Sequence, residues 1–170
     1  DIFAQSILVS NNQNLIKKVN RCLEKQLSKL PKKIIASKSL KNFGLAIYTN
    51  SKKNIIEIVN TIAPEHLELC TKNNNEILKK IKNAGSIFIG KFSPEAIGDY
   101  IAGPNHVLPT SGSAKFSSGL SVNDFLKRHS LIKISKTGIE RLGPSVINLA
   151  KHENLDGHAN SVKMRLKKEN

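Results

Sequence analysis

Cysteine is scarce in this chain of 170 residues: it occurs only at Cys22 and Cys70, far apart and without metal-ligand spacing. A cysteine-built metal site is therefore excluded. The apolar surroundings "NRCLEKQL" and "HLELC" predict buried free thiols in a reducing cytosol. No apolar run approaches the roughly 18 residues that a membrane span needs, so no membrane partner is expected. The opening "DIFAQSILVS" has no basic stretch ahead of its apolar part, so no signal peptide is expected. It starts on Asp1 rather than Met, which fits a processed start or a piece of something longer. Aromatic residues make up 5% and never interleave with basic ones, which leaves no platform for stacking bases. No G-x-G-x-x-G follows an apolar run, so there is no glycine-rich phosphate loop. Internal repeats and low-complexity tracts are also absent.

Lysine, asparagine and isoleucine are abundant. Lys and Arg number 27 against 13 Asp and Glu, a net charge of +14. That excess invites a nucleic-acid partner. The lysines are scattered beside Asn and Ile, however, as in "KNNNEILKKIKN", and read as solvated helix faces. No nucleic-acid partner is expected. With 39% hydrophobic residues the chain should fold, as one domain with a core or as one domain plus an appendage.

Apolar spacing gives the order of elements. "QSILVS" reads as a strand, and Asn11 or Asn12 then caps a helix with Leu15, Val19, Cys22, Leu23, Leu27 and Leu30 on one face. Pro31 stops it. "FGLAIYT" is a strand, Ser51 caps the helix "KKNIIEIVNTIA", and Pro64 ends it. "HLELC" is a short strand, "NNEILKKIKNAG" a helix closed by Gly85, and "SIFIG" a buried strand. Ser93-Pro94-Glu95 opens a further helix with Pro in its first turn. Such alternation predicts an α/β fold with parallel strands and helices on both faces. Ligands then gather at the carboxyl ends of the strands. After Leu120 the pattern changes. "SVNDFLKRH" reads as a short helix and "LIKIS" as a strand or extended piece. "TGIERLGPSVINLAKHE" and "LDGHANSVKMRLKK" read as two helices joined by a tight turn near Asn154. Residues 1–120 are thus assigned to the α/β domain and 121–170 to a small, mainly helical C-terminal domain.

Between Gly98 and Leu120 runs "GDYIAGPNHVLPTSGSAKFSSGL", nearly uncharged and rich in Gly and Pro. Non-periodic stretches of this length are either functional or disordered. Three places pair a carboxylate with an imidazole: Glu65 with His66, Asp99 with His106, and Glu153 with His158. A neutral imidazole accepts a proton near pH 7 and a carboxylate activates water, so Glu65 and His66 suit two proton-transfer roles. The plainer reading makes Glu65 a helix cap and His66 a surface residue. Asp99 suits a metal or the end of a helix; His106 suits a ligand, a substrate contact or a turn. Glu153 and His158 flank the last turn, which can bring them together, with His152 as a competitor. His129 follows "KR" and reads as surface. Asp and His suit a borderline metal such as Zn²⁺. The residues alone point to a metal-assisted α/β enzyme.

Three segments resemble histidinol dehydrogenase: "APEHLEL", "AGSIFIGKFSPEAIGDYIAGPNHVLPTSGSAKFSSGLSVNDFLKR" and "LAKHENLDGHANSV". The likeness extends over essentially the whole chain and is weakest from Asn11 to Asn60. It implies an incomplete Rossmann-like parallel-sheet domain followed by the helical tail. It also implies a cytoplasmic, zinc-dependent, NAD-linked enzyme that oxidises L-histidinol to L-histidine through histidinaldehyde, the last steps of histidine biosynthesis. Under that resemblance Glu65 and His66 are catalytic: His66 is the general base and Glu65 activates water. Asp99 is a zinc ligand that also lies against substrate. His158 is a second zinc ligand and Glu153 a substrate-binding carboxylate, both from a tail exchanged between the subunits of a homodimer. His106 is left with a supporting role, and the long loop frames the active site.

The family's other zinc ligands, a Gln and a His, belong just ahead of the part matching "DIFAQSILVS", and its NAD contacts lie further upstream. Neither is in this sequence. The expectation is a C-terminal portion of the enzyme, inactive in isolation, with no cofactor contacts of its own. Two rivals remain: a basic nucleic-acid-binding domain and a catalytically silent binding domain. The presence of Glu65, His66, Asp99 and His158 together counts against the second.

Overall fold

The computed structural model of the chain describes residues 1–167. These form a mixed α/β structure in which short parallel strands associate in pairs, with seven α-helices along the chain. There are two compact units, Asp1–Phe125 and the part from Leu126 onward.

In the first unit, β1 (Ile7–Ser10) and β2 (Leu45–Tyr48) pair in parallel, Ile7 opposite Leu45 and Ser10 opposite Tyr48. A parallel pair needs a crossover. It consists of α1 (Gln13–Leu27) and α2 (Lys33–Phe43), and α1 packs on both strands and on α2. Asn12 is the cap of α1: its Oδ1 accepts the Leu15 N–H at 3.0 Å. The half-buried stripe of α1 is Ile16, Val19, Leu23 and Leu27, rotated from the expected face. Leu15 is exposed and Leu30 lies beyond the helix. Helix α2 occupies a segment in which the sequence signalled no element; its pattern is weak because Lys alternates with Ile and Ser. Its buried residue is Ser39, whose hydroxyl donates to the Ala4 carbonyl at 2.7 Å.

Ser51 caps α3 (Lys52–Ile62), its Oγ accepting the Asn54 N–H. Pro64 ends the helix, and Ala63 is wholly buried in a left-handed conformation, φ 50°. The second pair is β3 (His66–Leu69) and β4 (Ser86–Ile89), again parallel, with His66 opposite Ser86 and Glu68 opposite Phe88. Their connection contains only a short helix, α4 (Asn74–Leu78). The expected longer helix is interrupted because Asn60 of α3 captures the chain. Its Oδ1 accepts from Lys82 and Asn83, and its carbonyl accepts from the Asn83 side chain. Gly85 is therefore no helix cap. Its N–H donates to Pro64, and a Cβ there would stand 2.5 Å from the Glu65 carbonyl, so the close approach of two backbones requires glycine. Strand β4 is not buried as expected: Ile87 and Ile89 are exposed on the face turned away from Ser86 and Phe88.

Helix α5 (Glu95–Tyr100) follows β4. Pro94 precedes it as the cap rather than occupying its first turn. The stretch to Leu120 is irregular apart from a 3₁₀ turn at Ser113–Lys115, but it is folded back on itself. Val107 accepts from Leu120 at 2.9 Å, and Asn105 Oδ1 accepts from Val107 at 2.7 Å. The expected helix after it reduces to a 3₁₀ turn, Val122–Phe125, because the Asp124 carboxylate closes on the Ser121 N–H and hydroxyl.

In the second unit, residues 131–135 have no regular secondary structure and pair with no strand among the described residues. Ser135 caps α6 (Lys136–His152), which packs against α7 (Asp156–Leu166). The turn between them is where the sequence placed it. Asn154 takes φ 59°, Leu155 donates to Ala150, and Asn154 donates to Lys151. This bond pair closes a helix when its left-handed residue tolerates positive φ. The final residue of the expected last helix, Lys168, lies outside the described residues.

Both cysteines are free but exposed, contrary to expectation. Cys22 sits one position off the buried stripe of α1, and Cys70 follows buried Leu69, so it points the other way. No helix among the described residues is long and apolar enough to cross a membrane.

Candidate functional site

Alternation along β3 puts His66 and Glu68 on one face and Leu67 and Leu69 on the other. The register adds Ser86 and Phe88 to the first face. Helix α5 meets that face. Glu95 and Asp99 are four residues apart and share one side of α5. His66 Nε2 lies 3.3 Å from Asp99 Oδ1 and 3.9 Å from Glu95 Oε1. One ligand atom from each of His66, Glu95 and Asp99 falls within 4.8 Å of the others. The His66 and Asp99 side chains are mostly covered, 24% and 27% exposed, while Glu95 is 45% exposed.

Phe88 supports this arrangement. Its ring lies 5.9 Å from the imidazole of His66. A Cβ on Gly98 would stand 2.5 Å from a Phe88 ring carbon, so α5 rests on Phe88 at the residue next to Asp99. At the other end of α5, Glu68 Oε1 accepts the Glu95 N–H at 3.0 Å. Partial burial raises the Glu95 carboxyl above the ordinary carboxylate range. A hydrogen bond with Asp99 and the charges of Asp99 and Glu68 add to the rise, while His66 opposes it. A protonated Glu95 can donate to Asp99.

Of the residues singled out in the sequence, the structure brings together His66 and Asp99. Glu65 is half-buried, and its carbonyl accepts the Ser86 N–H at 2.8 Å where the β3–β4 ladder begins. His106 is exposed in the loop and takes part in no ion pair among the described residues. In the second unit Glu153 caps the end of α6 and His158 lies on α7, both exposed; no hydrogen bond or ion pair joins them among the described residues. His152 is turned back on its own helix, Nδ1 3.1 Å from the Asn148 carbonyl. His129 is exposed, as read. Sequence reasoning missed Glu95 as part of the cluster and treated it only as an acid near a helix start. The signal was available, since Glu95 and Asp99 have the spacing of one helical face.

A groove of about 490 Å³ runs beside the cluster, lined by Ser86, Phe88, Phe92, Gly98, Pro104 and Asn105. It shares the cluster's supports but none of its titratable groups.

Residues 1–166 match the family described as histidinol dehydrogenase. A histidinol dehydrogenase of Pelagibacter ubique is 55% identical over 168 residues, which are 99% of this chain and 39% of that protein. One of Caldanaerobacter subterraneus is 52% identical over 97% of this chain and 38% of its own length. The crystal structure of histidinol dehydrogenase from Elizabethkingia anophelis superposes with a TM-score of 0.88 at 40% identity, covering 95% of this chain and 37% of that one. The chain thus spans about two fifths of the length of the relatives it matches.

Proposed function

This chain belongs to the histidinol dehydrogenase family, an oxidoreductase family, and on that premise we propose that it supplies the acid–base part of a histidinol-oxidising site. The observation that carries the reading is His66 facing Asp99 at 3.3 Å on a partly covered face. The reaction proposed for the whole protein is oxidation of L-histidinol to L-histidine through histidinaldehyde, consuming two NAD⁺ and one water.

His66 serves as general base. In the tautomer whose Nε2–H donates to Asp99, the lone pair lies on Nδ1, free to take the alcohol proton and later that of the hydrate. A carboxylate against the far nitrogen fixes ring orientation and supports the imidazolium that forms. Glu65, the neighbour of His66, activates the water that adds to the aldehyde. Excluding water until the aldehyde has formed, and retaining that aldehyde, is the proposed task of the folded loop 101–120.

The carboxylate oxygens that Asp99 and Glu95 bring together on this partly covered face are donors that suit zinc. Asp99 is the proposed ligand in the first unit and His158 the one in the tail, with Glu153 binding substrate. Bound zinc would hold and orient the substrate. Following the family pattern, the tail comes from the other subunit of a homodimer, and the protein works in the cytoplasm.

The test uses the whole protein that carries this chain, supplied with zinc, NAD⁺ and L-histidinol. Formation of histidine with two NADH per histidine is expected. Absence of histidine from folded, zinc-loaded protein rules the activity out. Mixing Asp99→Ala with His158→Ala subunits tests the exchanged tail. Each homodimer should be nearly inactive. The mixed dimer should recover roughly half the wild-type rate, because one site carries both lesions and the other none. No recovery after confirmed subunit exchange overturns that arrangement.

A further inference from the structure

We infer that Glu68 is a positioning residue: its carboxylate ties the first turn of α5 to β3 and so sets where Asp99 stands against His66. The inference rests on the roles proposed above for His66 and Asp99.

Helix α5 has six residues, too few to hold its own place. Its cap is Pro94, which offers no side-chain acceptor, so the N–H groups of the first turn need a partner from elsewhere. Glu68 provides one, accepting the Glu95 N–H at 3.0 Å. A charged acceptor makes this bond stronger than a neutral cap would. Glu68 lies two residues beyond His66 on the same face of β3. One strand therefore carries both the imidazole and the tether for the helix that bears its carboxylate partner. One turn further along α5, Gly98 rests on Phe88. Helix α5 is thus held at two points, and the His66–Asp99 contact is formed between strand and helix as a consequence. Releasing the first point frees α5 to pivot on Phe88 and lengthens a contact that is already long at 3.3 Å.

The test compares Glu68→Ala, which removes the acceptor, with Glu68→Gln, whose amide oxygen keeps it. At one fixed pH, the His66 ring signals in the NMR spectrum of the full chain should move in Glu68→Ala toward those of Asp99→Asn. In Glu68→Gln they should stay near wild type. In the whole protein, kcat for histidinol should fall at least about tenfold in Glu68→Ala, with KM within about twofold, and Glu68→Gln should recover most of the loss. A Glu68→Ala spectrum with unchanged His66 signals overturns the proposal. So does a Glu68→Gln variant as perturbed as Glu68→Ala, since charge rather than the tether would then matter. If Glu68→Ala does not fold, Glu95→Pro removes the donor instead, at a first-turn position that accepts proline. Compared with Glu95→Ala, it should reproduce the ring shift; equal spectra from the two would sink the tether. The NMR result decides Glu68 even if the wild-type protein proves unable to oxidise histidinol, which would overturn the proposed activity alone.

Discussion

The two strand pairs of the first unit share a design and differ in use. Each consists of two parallel four-residue strands in simple register. In β1–β2 no strand residue is titratable apart from Tyr48, and the helices that follow the strands are of ordinary length with conventional Asn12 and Ser51 caps. In β3–β4 one face carries His66 and Glu68, and the helix after β4 is short, capped from another strand and loaded with Glu95 and Asp99. The same scaffold carries mainly apolar side chains in one place and a titratable cluster in the other, a difference of a handful of residues. Tyr48 shows the contrast. Its hydroxyl donates to nearby Asn50, whereas His66 reaches a residue 33 positions away.

The sharpest way to break the comparison is to make matched substitutions in the two pairs. His66→Asn in the whole protein should lower histidinol turnover by about 10²- to 10⁴-fold with zinc content unchanged. Ile47→Val in β2 should cost about 0.5–1.5 kcal/mol of stability and leave turnover alone. Steady-state kinetics, metal analysis and denaturant melts measure both. Near-normal turnover in His66→Asn would strip β3 of its special status.

Next in size is Gly98→Val. The added atoms would enter the space of the Phe88 ring and push α5 away from it. Turnover should fall by about 10- to 100-fold, as for an ångström-scale displacement of a reacting group. Overpacking should also cost about 1–3 kcal/mol. The companion change Phe88→Leu relieves the clash, so part of the lost turnover should return in the double variant. No recovery would mean that the Gly98–Phe88 contact does not set the helix position.

Much of this contrast was legible in the sequence, for identifiable reasons. The four strands of the first unit, the caps Asn12 and Ser51, the stop at Pro64 and the turn at Asn154 are written in short-range chemistry, and these appear. His66 and Asp99 were singled out by residue type and given roles by motif resemblance, and the fold brings them together. Glu95 was missed although its spacing from Asp99 puts both on one helical face; Glu68 was missed because its contact is tertiary, its bond to the Glu95 N–H joining residues 27 positions apart. The truncation of α4 was invisible for the same reason, since Asn60 acts across 20 and 22 positions. The cysteines were misread because apolar neighbours in sequence do not put a residue on the apolar face. Glu65 is a subtler case, for the structure displays its backbone role in the ladder while the proposed use of its side chain rests on the family.

A smaller effect tests the structural pair. The Ser39 hydroxyl donates to the Ala4 carbonyl at 2.7 Å and is nearly buried, tying α2 to the segment ahead of β1. Ser39→Ala should cost about 1 kcal/mol, the net worth of one such bond. Thermal melts would detect this, while His66 NMR signals should not move. A shift at His66 would show that the two pairs are coupled.

The smallest expected effect concerns an ion pair that spans the comparison. Lys52 opens α3, which leads out of β2, and Glu76 lies in α4, inside the crossover between β3 and β4. The Lys52 ammonium lies 2.8 Å from both carboxylate oxygens of Glu76. Hydrogen bonding to Lys52 and then its charge hold the Glu76 carboxyl below the usual range, with a lesser contribution from Lys80. A carboxyl depressed in the folded state binds protons less readily there than in the unfolded chain. Its stabilising contribution is therefore present above the unfolded value, about 4.3 for Glu, and is lost as pH falls through the lower folded value. Both side chains are well exposed, so solvent and salt screen the pair, and Lys52 carries a positive charge at a helix start where it is disfavoured. Lys52→Met should consequently lower the melting temperature only slightly at neutral pH and low salt. That difference should shrink as salt is added and again as pH falls below the carboxylate range. A deficit that persists in strong acid cannot come from the ionised pair; it would locate the contribution of Lys52 in the packing of its aliphatic stem.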